Sequence, residues 1–434
     1  MIEIISTQGL RLGMFIADLD RPWLGTPFLM QGFLLDQEQD LGTLRQLCRF
    51  VTVDRERSVG DEYRADPARH VQPEKRLAGP APLIIYPNAR RLTLPTLTMG
   101  AVREVAGRRF PTVHYHEDIR VEEELPRART SFTKARDLLQ DIGEQVATGR
   151  LPDVEHLENT VDGLVECVVR NPDSLLWLAK LKKTDNLTYD HTLNTSVHLM
   201  AFGRHLGLAP DELHTLGLGG LLKDVGYINL PPDLIHKPAG LTRSEREHMR
   251  RHVEFGRDIL ADQVGIPGSA WDIILRHHER IDGSGYPGRL RGAEIGLFAE
   301  MSGIADTYCA MTFPRPFRPA RNGQWILDEI NSMRDHRFTA SVVDEFIQFV
   351  GLYPVGTLVE LNSGEVGVVI EQNRVRRLKP RIMIMLGPDK TRNHSAGILN
   401  LLNDPLVSAD GEPYRIVRIL PPGTYDLDPR EFYL

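Results

Sequence analysis

Cysteine is scarce: Cys48, Cys167 and Cys309 are the only three in 434 residues, far apart and never in a C-x-x-C spacing. That excludes a disulfide framework and a thiolate zinc site, and it fits a reducing compartment such as the cytoplasm. Long apolar runs are also missing. No stretch approaches the roughly 18 uninterrupted apolar residues of a membrane span, and MIEIISTQGL at the N-terminus lacks the basic-then-apolar pattern of a signal peptide. Positive charge is not in excess. The formal net charge is −7, so a broad nucleic-acid-binding face is not expected. The one basic cluster, Arg374, Arg376, Arg377, Lys379 and Arg381, reads as a solvated loop.

What is present has ordinary globular proportions, 41% hydrophobic and 26% charged residues, on a chain too long for one core. Its texture divides it into four parts, with no internal repeat. Residues 1–60 read as a small α/β domain: GMFIADL and FVTVD have strand composition, and QEQDLGTLRQLCR between them has helical spacing. Residues 61–125, rich in Pro, Arg and acidic residues, read as a connection with a strand or two, PLIIYP among the candidates. Residues 126–350 are helical. SFTKARDLLQDIGEQVA, VEHLENTVDGLVECVVR, LNTSVHLMAFGRHLG and DELHTLGLGGLLKDVG all place apolar residues three and four apart, with turn signals between them. Residues 351–434 return to strands: TLVEL and EVGVVIE around NSG form a hairpin pattern, followed by RIMIML and RIVRIL.

Chemistry concentrates in the helical part, where His191, Asp224, His252, His277, His278 and Asp306 each fall on or beside an expected helix. Taken singly they say little. With 15 histidines, about half a His-His pair is expected by chance, a lone Asp is usually a capping or solvated residue, and DGSGYPG is a good tight turn. Taken together they are the ligand types that helical bundles direct inward to hold Fe, Mn, Zn or Ni. On one continuous helix the two adjacent histidines would diverge by about 100°, so one would bind a metal more directly than the other.

The segments TYDHTLN, LLKDVGYINLP, HKPAGLT, MRRHVEFGRDIL, HHERIDGSGYPGRLRG and IADTYCAMTFPRPFR occur in order over 184–320. In this order and spacing they resemble the HD-GYP domain, a bacterial branch of the HD phosphohydrolase superfamily. The resemblance implies an all-α bundle that hydrolyses cyclic-di-GMP to pGpG or GMP. It makes His191, Asp224, His252, His277, His278 and Asp306 the ligands of one or two divalent transition metals, with Asp224 bridging. It makes Tyr286 of the GYP signature a contact for ligand or partner, and Arg315 and Arg318 of RPFR the phosphate-holding pair, a task suited to guanidinium. It also implies a GYP loop, 282–288, through which GGDEF cyclases dock, and it is compatible with a homodimer. Residues 1–60 resemble a domain of unknown function often attached to HD-GYP domains, and the YPVGTLVELNSGEVGVVIEQN tail commonly follows them.

Three positions depart from that pattern. The histidine of the HD dyad is Lys223, the lysine that closes the motif is Tyr227, and Leu187 stands where trinuclear members carry a glutamate, so no third metal is expected. Helical spacing puts Lys223 and Tyr227 on the face that looks into the site. Since an ammonium has no lone pair for a metal, two outcomes follow. Lys223 pairs with Asp224 and Asp306 in place of a metal, or it loses its proton beside one retained metal. The expected function is accordingly an impaired cyclic-di-GMP phosphodiesterase, with Asp224 and Lys223 at its catalytic centre and Tyr227 near the phosphate. The alternative is an inactive module that binds cyclic-di-GMP or docks GGDEF cyclases.

Overall fold

The structure, a computed structural model, describes residues 2–19, 33–48, 50–55, 58–59, 98–116, 119–181, 187–235, 237, 239–312, 323–403 and 412–427. They fall into two units, one of Met1–Arg90 with Asn373–Arg377, the other of Arg91–Gln372 with Leu378–Leu434. In the first, strands β1 (Ile2–Ser6), β2 (Phe15–Leu19), β3 (Phe33–Leu34) and β4 (Phe50–Asp54) form an antiparallel sheet in the order β1-β4-β2-β3, with helix α1 (Glu38–Leu47). Alternation along β4 buries Val51 and Val53 with Leu10, Ile16, Leu35 and Leu44, while Phe50 faces outward. The two strands and the helix read from the sequence are all there. The strand β1 was missed; it pairs with β4 from Ile2↔Asp54 to Ser6↔Phe50. PLIIYP lies outside the described residues.

In the second unit, strands β5 (Thr98–Val105) and β6 (Arg108–His114) turn at Ala106 and Gly107, both with positive φ, as tight hairpins require. This hairpin is joined to the helices: Val113 N donates to Gly207 O at 2.7 Å, and Val105 and Phe110 share the main core. The helices are α2 (Val121–Ala147), α3 (Val154–Arg170), α4 (Pro172–Leu181), α5 (Leu187–Leu206), α6 (Pro210–Leu222), α7 (Pro232–Ile235), α8 (Arg243–Arg250), α9 (His252–Leu260), α10 (Gly268–Arg276), α11 (Leu297–Thr312), α12 (Gly323–Ser332) and α13 (Ala340–Val350). Helix α2 starts well before SFTKARDLLQDIGEQVA, running through Pro126. A proline normally marks a helix boundary, but burial of Val121, Leu125 and Ala128 carries the helix across it. No described helix is long and apolar enough to cross a membrane.

Strands β7 (Leu358–Leu361), β8 (Val366–Glu371), β9 (Arg381–Leu386), β10 (Arg392–Asn400) and β11 (Ile416–Leu420) form an antiparallel sheet in the order β10-β9-β8-β7-β11. Alternation along β8 explains its docking: Val366, Val368 and Ile370 join the helical core, while Val369 faces a second cluster with Val359 and Ile382. Gln372 N donates to Asp173 Oδ2 at 2.7 Å at the same junction. Arg381 does not belong to a solvated loop, as its cluster suggested. It lies on β9 and is held by Glu122 at 2.6 Å and by Glu371, tying the sheet to α2. The overall architecture is a helical bundle with a small β-containing N-terminal domain and a C-terminal β module.

Candidate metal centre

Helix α6 ends at Leu222, and the chain turns at Lys223 and Asp224 into a short 3-10 turn, Val225–Asn229. Lys223 and Tyr227 are therefore not on one α-helical face, which corrects the sequence reading. The turn is pressed against α9 at Gly226, where an added Cβ would lie 1.9 Å from the His252 carbonyl oxygen. Only glycine permits that approach. It brings Lys223 into the interior and lays the Tyr227 ring over His252, with centroids 4.2 Å apart and planes 12° apart.

Lys223 is fully buried and donates to the adjacent carboxylate, Asp224 Oδ2, and at 2.7 Å to a distant one, Asp306 Oδ1 on α11. Burial alone would strip its proton, but the Asp224 and Asp306 charges outweigh that and hold the ammonium above the ordinary lysine range. Burial likewise opposes the charge on both carboxylates. Lys223 foremost, with His277 at Asp224 and His191 at Asp306, nevertheless holds Asp224 below and Asp306 well below the usual carboxylate range. Thr192 Oγ1 adds a donor to Asp224 Oδ2 at 3.1 Å, and His191 Nε2 lies 2.9 Å from Asp306 Oδ1. Of the two states considered for Lys223, the geometry corresponds to the paired ammonium.

Beside this satisfied cluster lies an unsatisfied one. The Nε2 atoms of His252, His277 and His278 are buried with no hydrogen-bond partner, and ligand atoms of the three rings lie within 4.8 Å of one another. Helix ends explain their direction. Helix α10 stops at Arg276, and His277 Nδ1 donates back to the carbonyls of its last turn, Ile273 at 3.1 Å, which also accepts from His277 N, and Ile274 at 3.2 Å. His252, opening α9, donates from Nδ1 to Met249 O at 2.9 Å. A carbonyl only accepts, so each Nδ1 carries the proton and each Nε2 keeps its lone pair. His278 lies past the helix end, so the pair converges, with ring centroids 4.1 Å apart. This corrects the expected divergence, which assumed a continuous helix. Burial, reinforced by Lys223, pushes the His277 imidazolium down to about 3; burial and His277 put His278 well below the usual range. Neutral imidazoles with convergent lone pairs suit a divalent transition metal. Asp224 Oδ1 borders them, 3.9 Å from His252 Nε2 and 3.7 Å from His277 Nε2. Together with the His191, Asp224 and Asp306 set, the centre has the geometry for one or two divalent ions.

The loop after His278 folds back over the imidazoles. Buried Glu279 accepts from Gly288 N at 2.6 Å and Leu290 N at 3.0 Å, while Gly285 lies so close to the chain that a Cβ would meet His278 O at 2.5 Å. The Tyr286 ring consequently stacks on His278 at 4.6 Å, and the Arg250 guanidinium lies over the Tyr286 ring at 4.9 Å.

Residues 2–157 match a domain family described as a domain of unknown function (DUF3391), and residues 178–342 match the HD domain. Over 387 residues, 88% of this chain and 85% of the relative, the sequence is 33% identical to the cyclic di-GMP phosphodiesterase PA4108 of Pseudomonas aeruginosa. The chain belongs to the HD-GYP family of cyclic-di-GMP phosphodiesterases. Shorter matches include the cyclic di-GMP phosphodiesterase response regulator RpfG of Xanthomonas campestris, 34% identical over 33% of this chain and 38% of that one. Another is the 3′3′-cGAMP-specific phosphodiesterase 1 of Vibrio cholerae, 31% identical over 36% and 35%.

Within this HD-GYP centre, all six expected ligand residues are gathered, with Tyr286 and Tyr227 against two of the imidazoles. Arg315, Arg318 and the Leu187 side chain lie outside the described residues. Three contributors escaped the sequence reading: Thr192, Glu279 and Arg250. The first two sit directly beside expected ligands in TYDHTLN and HHERIDG, and that adjacency was the available signal. Arg250 reaches Tyr286 only through the fold.

Proposed function

We propose that this chain is a bacterial second-messenger protein that hydrolyses cyclic-di-GMP to pGpG or GMP, slowly, because Lys223 occupies the HD-dyad position. The observation carrying this reading is the trio of buried, unpartnered imidazole nitrogens beside Asp224, in a chain of this family. A divalent ion held by His252, His277, His278 and Asp224 supplies charge that offsets the phosphate's and acidifies water. The chain's own groups set the rest. Lys223 keeps its proton and spends it on Asp224 and Asp306, so it offers no base. Asp224 has its Oδ2 already accepting from Lys223 and Thr192, so the Oδ1 that faces the imidazoles carries less negative charge and is a weakened ligand, which is the physical reason for slow turnover. Tyr227 and Tyr286 cover faces of His252 and His278 and limit water there. Arg315 and Arg318 hold phosphate oxygens.

The paired ammonium favours a second reading, in which the chain binds cyclic-di-GMP without cleaving it. Docking of GGDEF cyclases on loop 282–288, a homodimeric assembly and a cytoplasmic location belong to either reading; the free, buried cysteines support the last. The test is Mn²⁺-loaded full-length protein with cyclic-di-GMP, followed by product chromatography and calorimetry, with 3′3′-cGAMP in a parallel arm. Linear product formed more slowly than about 1 per second is expected. Binding without product selects the second reading, and neither binding nor product refutes both.

A further inference from the structure

We infer that this chain is built to hold a single divalent metal ion, on Nε2 of His252, His277 and His278, and that the Lys223 ammonium fills the place of a second ion between His191, Asp224 and Asp306. The inference deepens the metal-dependent reading above and rests on it, but it concerns the ion count rather than turnover.

The two halves of the centre differ in what they lack. In the imidazole half, three buried Nε2 atoms have no hydrogen-bond partner, and ligand atoms of the three rings lie within 4.8 Å of one another. Their Nδ1 protons are committed outward at His252 and His277, to Met249 O and to Ile273 O and Ile274 O, so those Nε2 atoms cannot become donors while neutral. A cation is the missing partner there. In the carboxylate half nothing is missing. Asp306 Oδ1 accepts from Lys223 at 2.7 Å with His191 Nε2 at 2.9 Å, and Asp224 Oδ2 accepts from Lys223 and from Thr192 at 3.1 Å.

Charge leads to the same count. Two carboxylates and one ammonium leave one net negative charge, which a single dication reverses to one positive. A second dication beside the retained ammonium would leave three positive charges in a buried site, where repulsion is strong. Asp224 joins the halves, with Oδ2 on the ammonium and Oδ1 facing the imidazoles. The lysine therefore stands, relative to Asp224, as a second ion would.

The experiment is metal counting on the full chain, stripped with chelator and then equilibrated with Mn²⁺, with the paramagnetic resonance spectrum recorded alongside elemental analysis. One Mn²⁺ per chain with an isolated-ion signal is expected. Lys223→His should bring the count to two, with a spin-coupled signal, and His278→Ala should weaken Mn²⁺ binding at least tenfold. Two ions in the wild-type chain, or none, overturn the inference, and so does a count of one in a folded Lys223→His protein. Two ions with active hydrolysis would leave the phosphodiesterase reading standing, whereas one ion without turnover or ligand binding would remove that reading alone.

Discussion

Replacing Lys223 with methionine keeps the length and apolar stem of the side chain and removes its charge. Asp224 and Asp306 then face each other with no cation between them, their nearest ligand atoms within 4.8 Å as part of the His191 set. At an effective dielectric of about 20, two unit charges that close repel by roughly 3 kcal/mol. Breaking a buried ion pair typically costs about 3–5 kcal/mol. For a unit of this size, with an unfolding entropy of roughly 2.1 cal/mol/K per residue, that corresponds to a fall of about 4–7 °C in melting temperature. Far-UV circular dichroism in chelator is the suitable assay, because the described α-helix lies almost entirely in the second unit. Adding Mn²⁺ should then rescue the variant more than the wild type, since a dication on the imidazoles beside Asp224 supplies positive charge that the variant has lost. At a hundred times its Kd, an ion bound only to the folded state restores about 2.7 kcal/mol. A Lys223→Met protein that melts with the wild type in chelator would refute the buried ion pair on which the account of this site depends.

Other outcomes follow from the same geometry. Gly226→Ala pushes a methyl group into the His252 carbonyl and Gly256 N, so Mn²⁺ affinity should fall at least tenfold; unchanged affinity in titration would show that the turn can yield. Burial holds His198 neutral down to about 4, and burial with Lys223 does the same for His277 to about 3. An unfolded chain protonates both near about 6.5. Below that pH the unfolded state binds more protons, so metal-free protein should lose about 1.4 kcal/mol per pH unit for each histidine. Urea midpoints at pH 7.5, 6 and 5 that did not move would contradict this. We propose residue 98, rather than 126, as the start of a chain that retains metal binding without the N-terminal domain. Starting at 126 removes the first turn of α2 and the hairpin whose Val105 and Phe110 fill the core, so helicity and Mn²⁺ binding should survive only in the longer version.

The sequence by itself determined which residues meet at this centre. The ligand types and their order within HD-GYP-like segments were enough to bring together His191, Asp224, His252, His277, His278 and Asp306, and β-alternation marked most strands of the flanking sheets. Strands such as β1 and β10, and the start of α2, were not legible, because packing against partners distant in sequence overrides local signals such as Pro126. Only the tertiary structure decided the chemistry within the centre. Local periodicity cannot say that α6 stops at Leu222 and α10 at Arg276, yet those two ends turn Lys223 inward and let adjacent histidines converge. The state of Lys223 was open from sequence for a similar reason. An isolated buried lysine loses its proton; this one keeps it because two carboxylates outweigh its burial, the neighbouring Asp224 and Asp306, which arrives from a helix 83 residues further along the chain at 2.7 Å from its nitrogen. Charge state depends on distance and burial, and both are properties of the folded chain.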